Sequence, residues 1–297
     1  MLPISRNVLL FFIIGLTVLV AACARAPYTD RRQLMLTSEG SETSMGYQAF
    51  GQIKREYKIS QDPAINAEVQ RVGQRVAAAA KRPDYRWEFV VFDNKEANAF
   101  CLPGGKVGIF TGILKYTKDE TGLATVISHE VGHALARHAG ERMSQGMLAQ
   151  VGGIGLGAAL GGMSPVAGQA IMTGYGLGTQ YGILLPYSRK HEYEADHIGL
   201  ILMAKAGYDP AQALEFWKRM MTKDKKVNMP QFMSTHPTDA SRLRELEAFL
   251  PEARKYYIPA HEAETPPPLR RLSAHEAASP PGVKSAPAAG RWEPASR

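Results

Sequence analysis

The stretch Ser128-His129-Glu130-Val131-Gly132-His133 constrains this chain more than any other. Leu123, Val126, Ile127 and Val131 recur around it at helical spacing, so it reads as part of one apolar helix. His129 and His133 then share a face, one turn above the other, and both imidazoles reach a single point. Glu130 lies beside them. Burying two imidazoles and a carboxylate together is costly unless something binds there. The pattern suits a zinc ion held by neutral nitrogens, with an open position for water and a neighbouring carboxylate as general base. Thr117-Lys118-Asp119-Glu120 has capping-box spacing and predicts Thr117 as the cap of this helix.

Two histidines leave a third protein ligand to find. A histidine one further turn along the helix fails on spacing. His138 comes one residue too early, and Ala136 stands where that pattern needs glycine. The other common solution is a glutamate from a later helix, with an aspartate four residues on that orients a ligand histidine. Glu192-Tyr193-Glu194-Ala195-Asp196 supplies Glu192 and Asp196 on one face, whereas Glu194 points to nearly the opposite side. His138, His191 and His197 are read as non-ligands.

At the N-terminus, Arg6 precedes an apolar run from Val8 to Val20, followed by Val20-Ala21-Ala22-Cys23. A basic start, an apolar core and small residues before a cut site predict a secretory signal over residues 1–22. Small residues ending in cysteine resemble the bacterial lipobox, so Cys23 is the expected lipidation site. The apolar run is shorter than the ~20 residues of a spanning helix, which argues against an uncut anchor. Ala24 rather than aspartate after the cysteine favours the outer membrane. With Cys23 acylated, Cys101 has no partner for an intramolecular disulfide.

Residues 23–60 read as a lipidated tether with short helical structure, and 61–258 as the main domain. Asp62-Pro63 opens an amphipathic helix through Ile65, Val69, Val72 and Val76 to about Lys81. Trp87 to Asp93 reads as a strand. Two further extended segments flank Pro103-Gly104-Gly105. Gly104, Gly105, Lys106 and Val107 are therefore candidate substrate-binding residues on an edge strand, a reading that spacing supports no better than a purely structural hairpin. Residues 143–188 contain no Asp, Glu, Lys, Arg or His and are rich in glycine. They read as weakly amphipathic helices that cover the site or touch a bilayer. Further helices follow Ser188, Asp209-Pro210 and Asp239. The Pro- and Ala-rich tail, 259–297, reads as disordered. The net charge of +7 comes without clustered basic and aromatic residues, which excludes a nucleic-acid partner.

Taken in order, Asn98-Ala99-Phe100 to Pro103-Gly104-Gly105-Lys106, His129 to His133, Glu192 to Asp196, and His236-Pro237 with Arg242 resemble the HtpX- and BepA-like zinc metallopeptidases. That group includes the CAAX prenyl endopeptidases and the Oma protease, and the lipobox points to its periplasmic lipoprotein members. The resemblance covers roughly residues 30 to 250. It implies an α+β, mostly helical gluzincin-type domain with a small β-sheet edge strand beside the zinc helix. It also implies one zinc ion per chain on His129, His133 and Glu192. The turn histidine of that family approaches the metal. Carried onto His236, this means either a catalytic group or an extra ligand that closes the site. Arg242 reads either as a residue that fixes the turn or the substrate or, the reading favoured here, as an ordinary helix-surface arginine.

The expected function is thus a zinc endopeptidase of the bacterial envelope, acting on misfolded or membrane-associated proteins, including outer-membrane ones. Glu130 would be the base, and Asp196 would fix His129 or His133. The rival is an outer-membrane assembly factor or chaperone, partner to the assembly machinery, with a largely closed zinc site.

Overall fold

The computed structural model describes residues 23–26, 29–162, 164–166, 168–169, 171–172, 185–222 and 231–259. The expected signal segment, residues 173–184 of the charge-free stretch and the tail from 260 lie outside the described residues.

Three strands form the central sheet: β3 (Glu88–Phe92), β4 (Ala99–Leu102) and β5 (Lys106–Phe110), in the order β3-β5-β4. β5 runs parallel to β3 and antiparallel to β4. Alternation along the strands sends Phe89, Val91, Val107 and Ile109 to one face, into the main core. Val90, Phe92, Phe100 and Phe110 go to the other face, where they form an aromatic cluster with Phe50. Phe50 belongs to α1 (Glu39–Glu56), which covers that face. The opposite face packs on α2 (Pro63–Ala80), whose cap Asp62 and first-turn Pro63 lie where the sequence places them. Covered on both sides and paired on both edges, β5 is buried at all five positions. Gly104 and Gly105, at φ 84° and 82°, make the tight turn between β4 and β5.

Residues expected to be a tether are more ordered than that reading allows. β1 (Cys23–Arg25) pairs antiparallel with β2 (Arg32–Leu34), and α1 is 18 residues long. The buried Glu42 of α1 and the half-buried Arg31 tie this segment to the helices behind the site.

The motif helix, α4 (Glu120–Leu135), is buried from Gly122 to Leu135. Its cap is Asp119, which accepts from Gly122 N–H, and not Thr117. Thr117 ends a preceding short helix, α3 (Leu114–Thr117), and the chain reverses at Lys118 (φ 68°), which moves the cap two residues on. α5 (His138–Ala159) runs into the charge-free stretch and leaves Val151 and Ile154 exposed. Among the described residues no helix is long and apolar enough to cross a membrane.

α6 (Leu185–Lys205) crosses α4 at very short range. It ends at Gly207 (φ 88°), with Tyr208 N–H bonded back to Met203 C=O. At the crossing, a Cβ on Gly132 would stand 2.7 Å from Ala195 O, and one on Gly199 would stand 3.1 Å from His129 Cα. Both contacts are with backbone, so nothing can swing aside. Two glycines thus let α6 bring its acidic residues beside the motif histidines. α7 (Gln212–Thr222), α8 (Gln231–Thr235) and α9 (Ala240–Arg254) close the core with Phe216, Trp217, Phe232 and Leu246.

Gly132→Val should separate α4 from α6. The expected loss is roughly 3 kcal/mol of stability in urea unfolding, accompanied by weaker metal binding.

Candidate active site

His129 and His133 project from α4 toward Glu192 of α6 and His236, which follows α8. One donor atom from each of these four residues lies within 4.8 Å of the others. His133 Nε2 is 3.1 Å from His129 Nε2, and His236 Nδ1 is 3.2 Å from His129 Nε2. Glu192 places its oxygens 3.4 Å from His129 Nε2, 3.3 Å from His133 Nε2 and 3.1 Å from His236 Nδ1. Three imidazole lone pairs converging on one carboxylate repel unless a cation or protons stand between them. Two to three nitrogens with one carboxylate oxygen are the donor set of a hydrolytic metal centre, so the residues fit a divalent ion.

His133 is lowered well below the ordinary histidine range by burial, which favours the neutral, metal-binding form. Burial alone would lower His129 too, but its hydrogen bonds to Asp196 and Glu192 raise it to about 9. For Glu192, burial is outweighed by the surrounding histidines, which hold the carboxyl well below its usual range. Burial raises the Glu130 carboxyl from its ordinary value. His236 Nε2 lies 3.3 Å from Glu130 Oε1, without hydrogen-bond geometry.

Asp196, whose side the sequence leaves open, lies 2.9 Å from His129 Nδ1. Arg242 is not a surface residue. It is 2% exposed and donates to Asp196 at 2.6 and 2.8 Å. It also lies 3.0 Å from Glu192, donates to the carbonyls of His236 and Pro237, and stacks 3.9 Å over the Trp217 ring. Its burial escapes a helix-surface reading because it sits in the first turn of α9, where Asp239 caps the helix and directs that turn inward. The only trace in the sequence is its position six residues after His236.

The expected substrate strand needs correction. β5 has partners on both sides, so Lys106 and Val107 have no free backbone edge. Lys106 is buried and donates to Arg86 C=O and Glu88, while Gly104 and Gly105 form the turn. The edge strands are β3 and β4, and it is β4 that lies against α4. Phe110 N–H donates to Asn98 C=O, and hydrogen-bonded pairs alternate along an antiparallel ladder. Phe100 and Leu102 therefore bond toward β5, while Cys101 turns its N–H and C=O outward. The period of two that identifies a strand does not tell which of two hairpin strands is inner.

Residues 63–250 match peptidase family M48. The chain belongs to that family. It is 36% identical over 232 residues to the mitochondrial metalloendopeptidase OMA1 of Schizosaccharomyces pombe, covering 77% of this chain and 66% of that protein. It is 30% identical over 252 residues to OMA1 of Saccharomyces cerevisiae, covering 78% and 70%. It is 29% identical over 251 residues to the beta-barrel assembly-enhancing protease of Escherichia coli, covering 81% of this chain and 51% of that one. These relatives place the chain among metalloendopeptidases, and the mostly helical M48 domain with its small sheet carries the donor cluster on α4, α6 and the residue after α8.

Replacing Arg242 by methionine would leave Asp196 and Glu192 buried without their counterion. The expected cost is about 3–5 kcal/mol of stability in denaturant unfolding of the metal-free protein.

Proposed function

We propose that this chain is a zinc-dependent endopeptidase of the bacterial envelope that cleaves unfolded or membrane-associated proteins. The observation that supports it most is the convergence of His129, His133 and Glu192 with the buried Glu130 alongside. Zinc at this point would polarise the scissile carbonyl and lower the pKa of a bound water. Glu130 takes the proton from the attacking water and passes it to the leaving amine, a role suited to a carboxyl whose pKa burial raises. Asp196, anchored by Arg242, holds His129 in the tautomer that leaves Nε2 free for the metal. Extended substrate pairs with the outer edge of β4, where Cys101 offers backbone groups next to α4.

The envelope assignment rests on the Arg6–Cys23 pattern, with Cys23 as the lipidated residue and the outer membrane as its destination. The name of the Escherichia coli relative, a beta-barrel assembly-enhancing protease, supports a link to the assembly of beta-barrel proteins, which we take to be those of the outer membrane.

A second reading, an assembly factor with a largely closed site, draws support from His236. Its Nδ1 stands among the metal donors, where it would act as a fourth protein ligand to an ion held by the other three. We therefore take His236 as a gate that keeps the site latent until a substrate or partner displaces it.

Glu130→Gln should retain one zinc per chain by elemental analysis and lose at least roughly 100-fold in casein cleavage. Undiminished cleavage removes Glu130 from the mechanism. His236→Ala should cleave casein several-fold faster than the wild type. A large loss instead makes His236 a catalytic group.

A further inference from the structure

Behind His133 lies a second buried cluster that the peptidase chemistry does not use. His133 Nδ1 is 2.8 Å from His138 Nδ1, and His138 Nε2 is 2.9 Å from Glu194 Oε2. Arg31 Nε donates to the same Glu194 oxygen at 2.8 Å, and its two terminal nitrogens donate to Glu141 at 2.9 and 2.6 Å. His138, Glu194 and Glu141 are between 0 and 4% exposed.

Proton bookkeeping gives this chain a direction. If His133 Nε2 is to hold a metal, its proton sits on Nδ1 and is donated to His138 Nδ1. His138 then has its lone pair on Nδ1 and its proton on Nε2, donated to Glu194. A carboxylate at the end accepts that proton's hydrogen bond, and Arg31 lies against it as the counter-charge. The path mirrors the one behind the other histidine, His129–Asp196–Arg242, with one imidazole inserted.

His138 reaches this place only because the helix breaks. Arg137 takes φ 56°, left-handed and unfavourable for a residue with a side chain, so α5 starts in a new direction. Glu42 and the carbonyl of Thr37 hold the Arg137 guanidinium at 2.7–3.0 Å. Both anchors, like Arg31, precede the family-matched residues 63–250.

We propose that His138, Glu194 and Arg31 are positioning residues that fix the metal-binding tautomer of His133, so that the segment 29–42 completes the metal centre from outside the peptidase core. This rests on His133 being a zinc ligand.

The test measures zinc affinity of the full-length protein by competition with a chromogenic chelator, and the visible spectrum of its Co2+-loaded form. His138→Phe and Glu194→Gln should bind zinc about 10–100-fold more weakly and shift the Co2+ bands, with circular dichroism unchanged. His138→Gln, whose amide both accepts and donates, should recover part of the affinity. Arg31→Lys should fall between wild type and Arg31→Met, and it carries the Arg31 test if the methionine variant does not fold. Affinities within two-fold of wild type and unshifted Co2+ bands in the folded variants overturn the relay. A wild-type protein that binds no zinc overturns the reading beneath it instead.

Discussion

The structure depends on how closely α4 and α6 approach. Gly132 and Gly199 remove the side chains that would hold the two backbones apart, and the helices meet with Ala195 O and His129 Cα in near contact. That contact brings a histidine helix and an acidic helix together with the facing side chains of both buried. A charge buried there is costly without a partner, and Asp196 finds its partners in His129 and Arg242. The tight crossing and the chemistry are one constraint seen from two sides.

Its consequence is a set of buried charges arranged in paired columns. Behind His129 stand Asp196 and Arg242, from α6 and α9. Behind His133 stand His138, Glu194 and Arg31, from α5, α6 and the strand-pair loop at the N-terminus. Each column ends in an arginine, whose planar fork satisfies a carboxylate at two points while bonding elsewhere. Ion pairs of this kind add little net stability compared with an apolar core of the same volume. They fit a site in which ligand orientation has to be fixed. Elements far apart in the chain, from residue 31 to residue 242, are recruited for that purpose.

The sheet contributes differently. β5 is sealed between α1 on one face, α2 and α4 on the other, and a strand along each edge, so it is scaffold. β4, the outer strand beside α4, keeps backbone groups turned away from β5. The free backbone of the sheet beside α4 thus lies along the edge of β4 rather than at the glycine turn.

Much of this was legible in the residues. The spacing of His129, Glu130 and His133 fixed a shared helical face, and Asp62-Pro63 and Asp239 fixed helix starts, because caps and periodicity are local. The four-residue spacing of Glu192 and Asp196 marked them as a pair apart from Glu194. Misreadings arose where a residue's role depends on what packs against it. Arg242 has the spacing of a surface residue and becomes buried only because α9 leans on α6. Lys106 and Val107 have a strand's alternation, but their place in the sheet comes from β3, which precedes them by some fifteen residues. His138 is offset from the motif face until Arg137 breaks the helix, and what holds that break is Glu42, nearly a hundred residues earlier. By itself the sequence determined the donor types and the helix that presents them, since both follow from nearest-neighbour geometry. Only the tertiary structure decided which buried charge answers which, because long-range packing sets which side chains meet in the interior, where an unpartnered charge is costly.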